Sequence, residues 1–254
     1  MMANGRTPYL GESAVAKRTS PALTRLMVDC KHKPTLEFYP YIDKVGIRLG
    51  SEFPDWARGQ SFLRLLDKRR HRALTVHYRG VHLLCDQPER GEFTFAKSVC
   101  LSAIETLKAD RFDEVIVQTL YTHAMGGMGF DLLRSLFAAK FLSLDPALGE
   151  IFGEMTDLGF LTDFQRKPGE HGKARLGPMK SAQWFEINDY QAAGTFEPGE
   201  SFEQFKKSLP ETFLFMEITL SRKDAEQSEI DTFLQDASVR SFAIANDIVD
   251  YMNE

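Results

Sequence analysis

Residues Thr212 to Leu220 read TFLFMEITL, with Leu214, Met216, Ile218 and Leu220 on one side of an alternating run and Phe213 and Phe215 on the other. A period of two puts successive side chains on opposite faces of a strand, and apolar residues on both faces mark a strand interior to its sheet. Asp113 to Thr122 has the same property: Val115, Val117, Thr119 and Tyr121 share one face, Ile116 and Leu120 the other. Working outward, Arg72 through Tyr121 and Met155 through Tyr251 repeat one plan, a strand hairpin, one or two helices, then a long apolar strand leading into another helix. This pattern predicts an α+β fold with two sheet-bearing halves, mostly antiparallel strands of ferredoxin-like character, helices packed on the sheets and a long C-terminal helix.

In the first half, Arg72 to Asp86 predicts a hairpin turning at Arg79-Gly80, which sets Tyr78 opposite Val81, Val76 opposite Leu83, Leu74 opposite Cys85 and His77 opposite His82. Phe93, Ala96, Cys100, Ala103, Ile104 and Leu107 follow at helical spacing and predict a helix over the hairpin's apolar face. Upstream, Val45, Ile47 and Leu49 alternate as in a half-buried strand, and Phe62, Leu65 and Leu66 mark a short amphipathic helix. In the second half, Met155 to Phe164 and Lys173 to Met179 pair as strands, and Gln191 to Leu209 forms a loop with one short helix. Ser228 and Asp231 suggest a capping box before a terminal helix whose stripe includes Ile230, Phe233, Leu234, Ala237, Ile244, Ala245 and Ile248. The expected organisation is a mobile arm over 1–33 with a short helix near Leu23 to Met27, a first α+β half over 34–125, connecting helices over 126–153 and a second α+β half over 154–254.

A chain of 254 residues, 43% of them apolar, buries a large core without staples. Cys30, Cys85 and Cys100 are too few and too scattered for a disulfide framework or an all-cysteine zinc site, which fits a reducing cytoplasm. No apolar run of about 18 residues and no signal-peptide pattern occur, so no membrane partner is expected. The formal charge of -5 is unevenly spread: Arg64, Lys68, Arg69, Arg70, Arg72 and Arg79 stand against Asp67 alone between residues 58 and 79. This basic patch is a nucleic-acid candidate, although the acidic overall balance favours a solvated turn.

His77 and His82, opposite one another in the predicted hairpin, are candidate metal ligands that need a third group such as Asp86 or His123. Gly126, Gly127 and Gly129 lie between a strand and a helix, the setting of an anion site, but the stretch matches neither GxGxxG nor GxxxxGK[ST]. Glu217 interrupts an apolar strand and calls for an arginine partner, Arg48 or Arg175, both also ligand-binding candidates. Trp184, beside Phe185 and after the basic run Lys173 to Lys180, reads either as an aromatic lip for a ligand or as core. With no GxSxG elbow and no thiolate setting for a cysteine, no catalytic residue is assigned and no cofactor is expected.

The segments VGIRLG (Val45 to Gly50), MTDLGFLTDF (Met155 to Phe164), RLGPM (Arg175 to Met179) and FLFMEITL (Phe213 to Leu220), in this order and before a terminal helix, resemble a sporadically distributed, uncharacterised bacterial family of similar length. The resemblance spans Leu36 to the C-terminus, with Pro34 to Phe38 departing from the family's more hydrophobic start. It implies patchy inheritance near mobile or defence-related genes and carries over no catalytic residue. The expected function is a non-catalytic binding or effector module holding a protein partner or small ligand between its two halves, with a homodimer possible. RNA or other nucleic-acid binding through 64–79 and a metal- or phosphate-dependent hydrolase are the alternatives.

Overall fold

The computed structural model describes residues 20–34, 38–89, 91–142, 157–188, 194–196 and 200–254. The chain runs β1 (Ala22–Lys31), α1 (Phe38–Leu49), β2 (Asp55–Arg58), β3 (Phe62–Asp67), β4 (Arg72–His77), β5 (Gly80–Asp86), α2 (Glu92–Leu107) and β6 (Arg111–His123). It continues with α3 (Phe130–Phe141), β7 (Phe160–Lys167), β8 (Glu170–Lys180), α4 (Ser181–Ile187), α5 (Glu200–Ser208), β9 (Thr212–Glu226) and α6 (Gln227–Asn253).

These strands form one sheet rather than two, nine strands in the order β2-β3-β4-β5-β1-β6-β9-β8-β7, every neighbouring pair antiparallel. The α+β class and the long C-terminal helix stand; the separation into two sheets does not. The two apolar strands that define the halves pair directly, from Arg111 opposite Glu226 to His123 opposite Leu214. Packing each face of both strands against something apolar is satisfied by joining the halves edge to edge.

The expected arm is corrected over its last third. Ala22–Lys31 is neither mobile nor helical but an interior strand, paired with β5 on one edge and β6 on the other. Leu26, Val28 and Cys30 alternate into the core. The first 19 residues, and 143–153 of the expected connecting helices, lie outside the described residues.

Two further elements change type. Val45 and Leu49 belong to helix α1, whose buried stripe Phe38, Ile42, Val45, Leu49 has a spacing of four, three and four. Ile47 falls on the opposite side of that helix. Phe62 to Leu66 is strand β3, with Leu63 and Leu65 turned inward.

The β4–β5 hairpin turns at Tyr78-Arg79, two residues that both keep negative φ, so His77 faces Gly80, Val76 faces Val81 and Leu74 faces Leu83. Gly80 serves close approach: a Cβ there would sit 2.7 Å from the Cys30 carbonyl oxygen of β1. Helices α1, α2, α3 and α6 cover one face of the sheet and bury the main core. Part of the other face carries α4 and α5 over an aromatic cluster of Trp184, Phe196, Phe202, Phe205, Phe213 and Phe215.

Beneath α2, the Arg72 guanidinium binds both Glu92 carboxylate oxygens at 2.6 and 2.9 Å and lies 3.7 Å from the Phe95 ring centroid. Both charges are buried. Glu92→Ala leaves the guanidinium unpaired and is expected to cost about 3–5 kcal/mol in urea denaturation, whereas Arg72→Met with Glu92→Leu recovers most of it. A loss below about 1 kcal/mol for Glu92→Ala, the value of an exposed pair, would contradict the buried bidentate geometry.

Candidate binding cleft

Helix α1 meets the β2–β3 hairpin at a notch. Gly46 on the helix and Gly50 just past its end both line this notch, and a Cβ at Gly46 would stand 3.3 Å from Leu63 Cδ2, so glycine there lets the helix approach β3 closely. The resulting cleft holds about 490 Å³, with a floor of Phe53, Leu63 and Leu65. Ile47 and Trp56, 84% and 69% exposed, form its two apolar lips. One ion pair crosses the rim, Arg58 Nε donating to Asp43 Oδ1 at 2.9 Å. An apolar concavity of this size with a small number of placed polar groups has the character of a ligand or side-chain pocket.

A second cleft of about 490 Å³ lies at one end of the sheet, among His32, Lys108, Asp110, Arg111, Asp113, Asp224 and Glu226. Its walls are charged with both signs. The Lys108 ammonium is engaged over the Tyr41 ring at 4.6 Å.

The sequence candidates do not converge. Arg48 on α1 binds Glu105 at 2.9 Å and Thr106 at 3.2 Å on α2. Arg175 on β8 lies opposite Glu217 on β9 and donates to it at 2.8 Å, the structural pair that an interrupting glutamate calls for. Trp184 is 1% exposed and packs edge-on against Phe213, so it is core rather than a lip. In the loop before α3, Gly126 and Gly127 take φ of 60° and 76°, and the Gly126 and Met128 N–H groups donate to the carbonyls of Ala124 and Met125. Those two donors close turns and do not point to an anion.

The basic run is dispersed as well. Arg72 is buried against Glu92. At the β3–β4 turn that holds Lys68, the backbone N–H groups of Arg69 and Arg70 are both capped by Asp67 Oδ1 at 3.1 Å. Arg79 stands at the other end of β4, about 20 Å away at the rise of a strand, and Arg64 lies within β3.

His77 and His82 share a face but are diagonal, because the true register puts His82 between Thr75 and Asp29. Asp86, one of the two third ligands expected beside His123, is buried against Arg25 and Thr195. Among the described residues, no group of three or more His, Cys, Asp or Glu side chains is placed to hold a metal ion. Burial pushes the Cys85 thiol well up, and a hydrogen bond to Cys30 together with burial does the same for Cys100, so both stay protonated. Among the described residues, no helix is long and apolar enough to cross a membrane.

The cleft is built from residues that a strand-first reading hides. Ile47 alternates with Val45 and Leu49 in the sequence, yet on a helix it leaves their face; Trp56 sits in a run of only four strand residues. The exposed Ile47 and Trp56 pair is the signal, visible once α1 is recognised. In comparison with known proteins, the chain matches no family model, no curated protein and no solved structure.

Burial lowers the basicity of His71, His77, His82 and His123, opposed at His77 and His82 by the Asp29 carboxylate. Each therefore takes up a proton less readily in the folded chain than in the unfolded one, where histidine titrates near 6.5. As pH falls through that value the unfolded state gains protons first and stability declines, the loss being complete below the depressed folded values. The urea midpoint is expected to drop between about pH 7.5 and about pH 5.5, and His82→Gln to flatten the slope. A midpoint that holds constant or rises over that interval, with no difference in His82→Gln, would overturn this assignment.

Proposed function

We propose that the protein is a non-catalytic binding module that takes an apolar side chain of a protein partner into the cleft between α1 and the β2–β3 hairpin. The observation that carries this reading is the pair of exposed lips, Ile47 and Trp56, over a floor of buried Phe53, Leu63 and Leu65. A soluble surface keeps large apolar side chains scattered, so two of them flanking an apolar concavity point to a partner. Trp56 suits the role of anchor, being large and amphipathic and standing next to the Asp43–Arg58 pair that can orient a partner's backbone or polar group. The effector role near bacterial mobile or defence genes belongs to the same proposal, with the sequence resemblance as its support.

Selection from a displayed random-peptide library tests the reading directly. Enriched peptides are expected to carry an aromatic or branched aliphatic anchor. Ile47→Asp and Trp56→Ala, both at exposed positions, are each expected to weaken binding by on the order of 2 kcal/mol, roughly 30-fold, with the circular-dichroism spectrum of the folded chain unchanged. Enrichment of peptides indifferent to both substitutions, or salt-sensitive capture of oligonucleotides in their place, would refute the cleft as the site.

A further inference from the structure

We infer that the outer edge of β2 pairs with β2 of a second copy of this chain, in one register centred on Ala57, to make a continuous eighteen-stranded sheet across a two-fold axis. β2 is a terminal strand of the nine-stranded sheet, and all four of its residues, Asp55, Trp56, Ala57 and Arg58, are exposed. Gly59 N–H donates to the Phe62 carbonyl at 3.0 Å, which fixes which backbone groups β3 already uses. With Ala57 opposite Arg64 and Asp55 opposite Leu66, the two-residue period assigns the inner ladder to Gly59, Ala57 and Asp55. The N–H and C=O groups of Trp56 and Arg58 therefore point away from the sheet.

Those two residues are complementary to each other. Across a two-fold axis normal to the sheet, antiparallel partners must lie on the same face, so only registers centred on a residue are open. Centring on Trp56 would set Arg58 opposite Pro54, which has no N–H to give. Centring on Ala57 sets Trp56 opposite Arg58 of the other copy, twice, and uses the outward groups of both residues. The side chains agree with the backbone. Trp56 and Arg58 lie on the helix-bearing face, opposite buried Leu65 and Leu63, and each indole meets a guanidinium already held by Asp43. At the axis the two Ala57 side chains, on the other face, leave room for the close approach of a non-hydrogen-bonded pair.

The opposite edge of the sheet lacks this design, since the β7–β8 ladder breaks between Phe164 and Lys167. The inference rests on the cleft reading only in that both use Trp56 and Arg58: pairing brings the two clefts to either side of the axis.

Light scattering on the size-fractionated full chain, with cysteine cross-linking, tests the register. The wild type is expected at twice 28.8 kDa at micromolar concentration. Ala57→Lys, which sets like charges face to face at the axis without touching the inner ladder, is expected to be monomeric, with the wild-type circular-dichroism spectrum and a urea midpoint that no longer depends on protein concentration. Ala57→Cys is expected to form a disulfide-linked dimer on mild oxidation, because a non-hydrogen-bonded pair separates Cα atoms by about 4.5 Å, within disulfide range. Asp55→Cys, which faces Gly59 in this register, is expected not to, and the native cysteines are all buried. A wild type that stays monomeric, an Ala57→Lys variant that stays dimeric, or cross-linking at Asp55→Cys in preference to Ala57→Cys overturns the inference. Selected peptides are titrated separately against monomeric Ala57→Lys, so that failure of the cleft and failure of the dimer are told apart.

Discussion

Backbone pairing of β1 on both of its edges joins the β2–β5 meander to the block β6-β9-β8-β7, each of which would otherwise expose an open side. The β2–β5 meander reaches the rest of the sheet only through β5 and β1, and β6 with β9 only through β1 and β6. A row of residues crosses this seam on each face. On the helix-covered side, Leu26, Val28 and Cys30 meet Cys85, Leu83 and Val81 on one flank and Thr119, Val117 and Val115 on the other. Remove β1 and neither flank has a partner for its main-chain groups or for its apolar side chains. Thr24 adds a tie by donating to the Leu120 carbonyl at 2.9 Å.

The surfaces that remain follow from where this sheet stops. Central strands are covered on the helix side along their length, so apolar residues there are consumed by packing. At the β2 end, the sheet outruns its cover: α1 offers Gly46 instead of a side chain toward Leu63 of β3, and β2 is short and exposed. Cleft and open edge are thus two consequences of one termination, and they share Trp56 and Arg58. The charged features that stand out in the sequence are mostly spent within the molecule, Arg72 on Glu92, Arg175 on Glu217 and Arg48 on Glu105.

Strand character was legible wherever alternation was long. Thr212 to Leu220, Asp113 to Thr122 and the β4–β5 hairpin are all strands in the structure. Their assembly into one sheet was not, because apolar residues on both faces say that a strand is interior without naming its neighbour. β1 carried its own alternation of Leu26, Val28 and Cys30, but flanking Pro21 and the polar residues before it gave that end of the chain the look of an arm. In α1, three alternating residues imitated a strand, and the true stripe begins at Phe38, two residues before Pro40, which a first helical turn tolerates. Taking Gly80 as a turn residue shifts the hairpin turn by one residue, whereas in the structure Gly80 begins β5 and lets β1 approach. That slip created the apparent His77–His82 pair. Of the cleft, Ile47 and Trp56 were in plain view as apolar residues, but their exposure depends on tertiary packing that no local period encodes.

Hydrogen–deuterium exchange followed by mass spectrometry addresses the role of β1 most directly. Interior strands open only with the whole molecule, so the peptide covering Ala22–Lys31 should exchange as slowly as those covering β6 and β9 and be released together with them as urea is added. Exchange of that peptide within seconds, while β6 and β9 stay protected, would mean that Ala22–Lys31 is a detachable arm and that the nine-stranded sheet is not the native one.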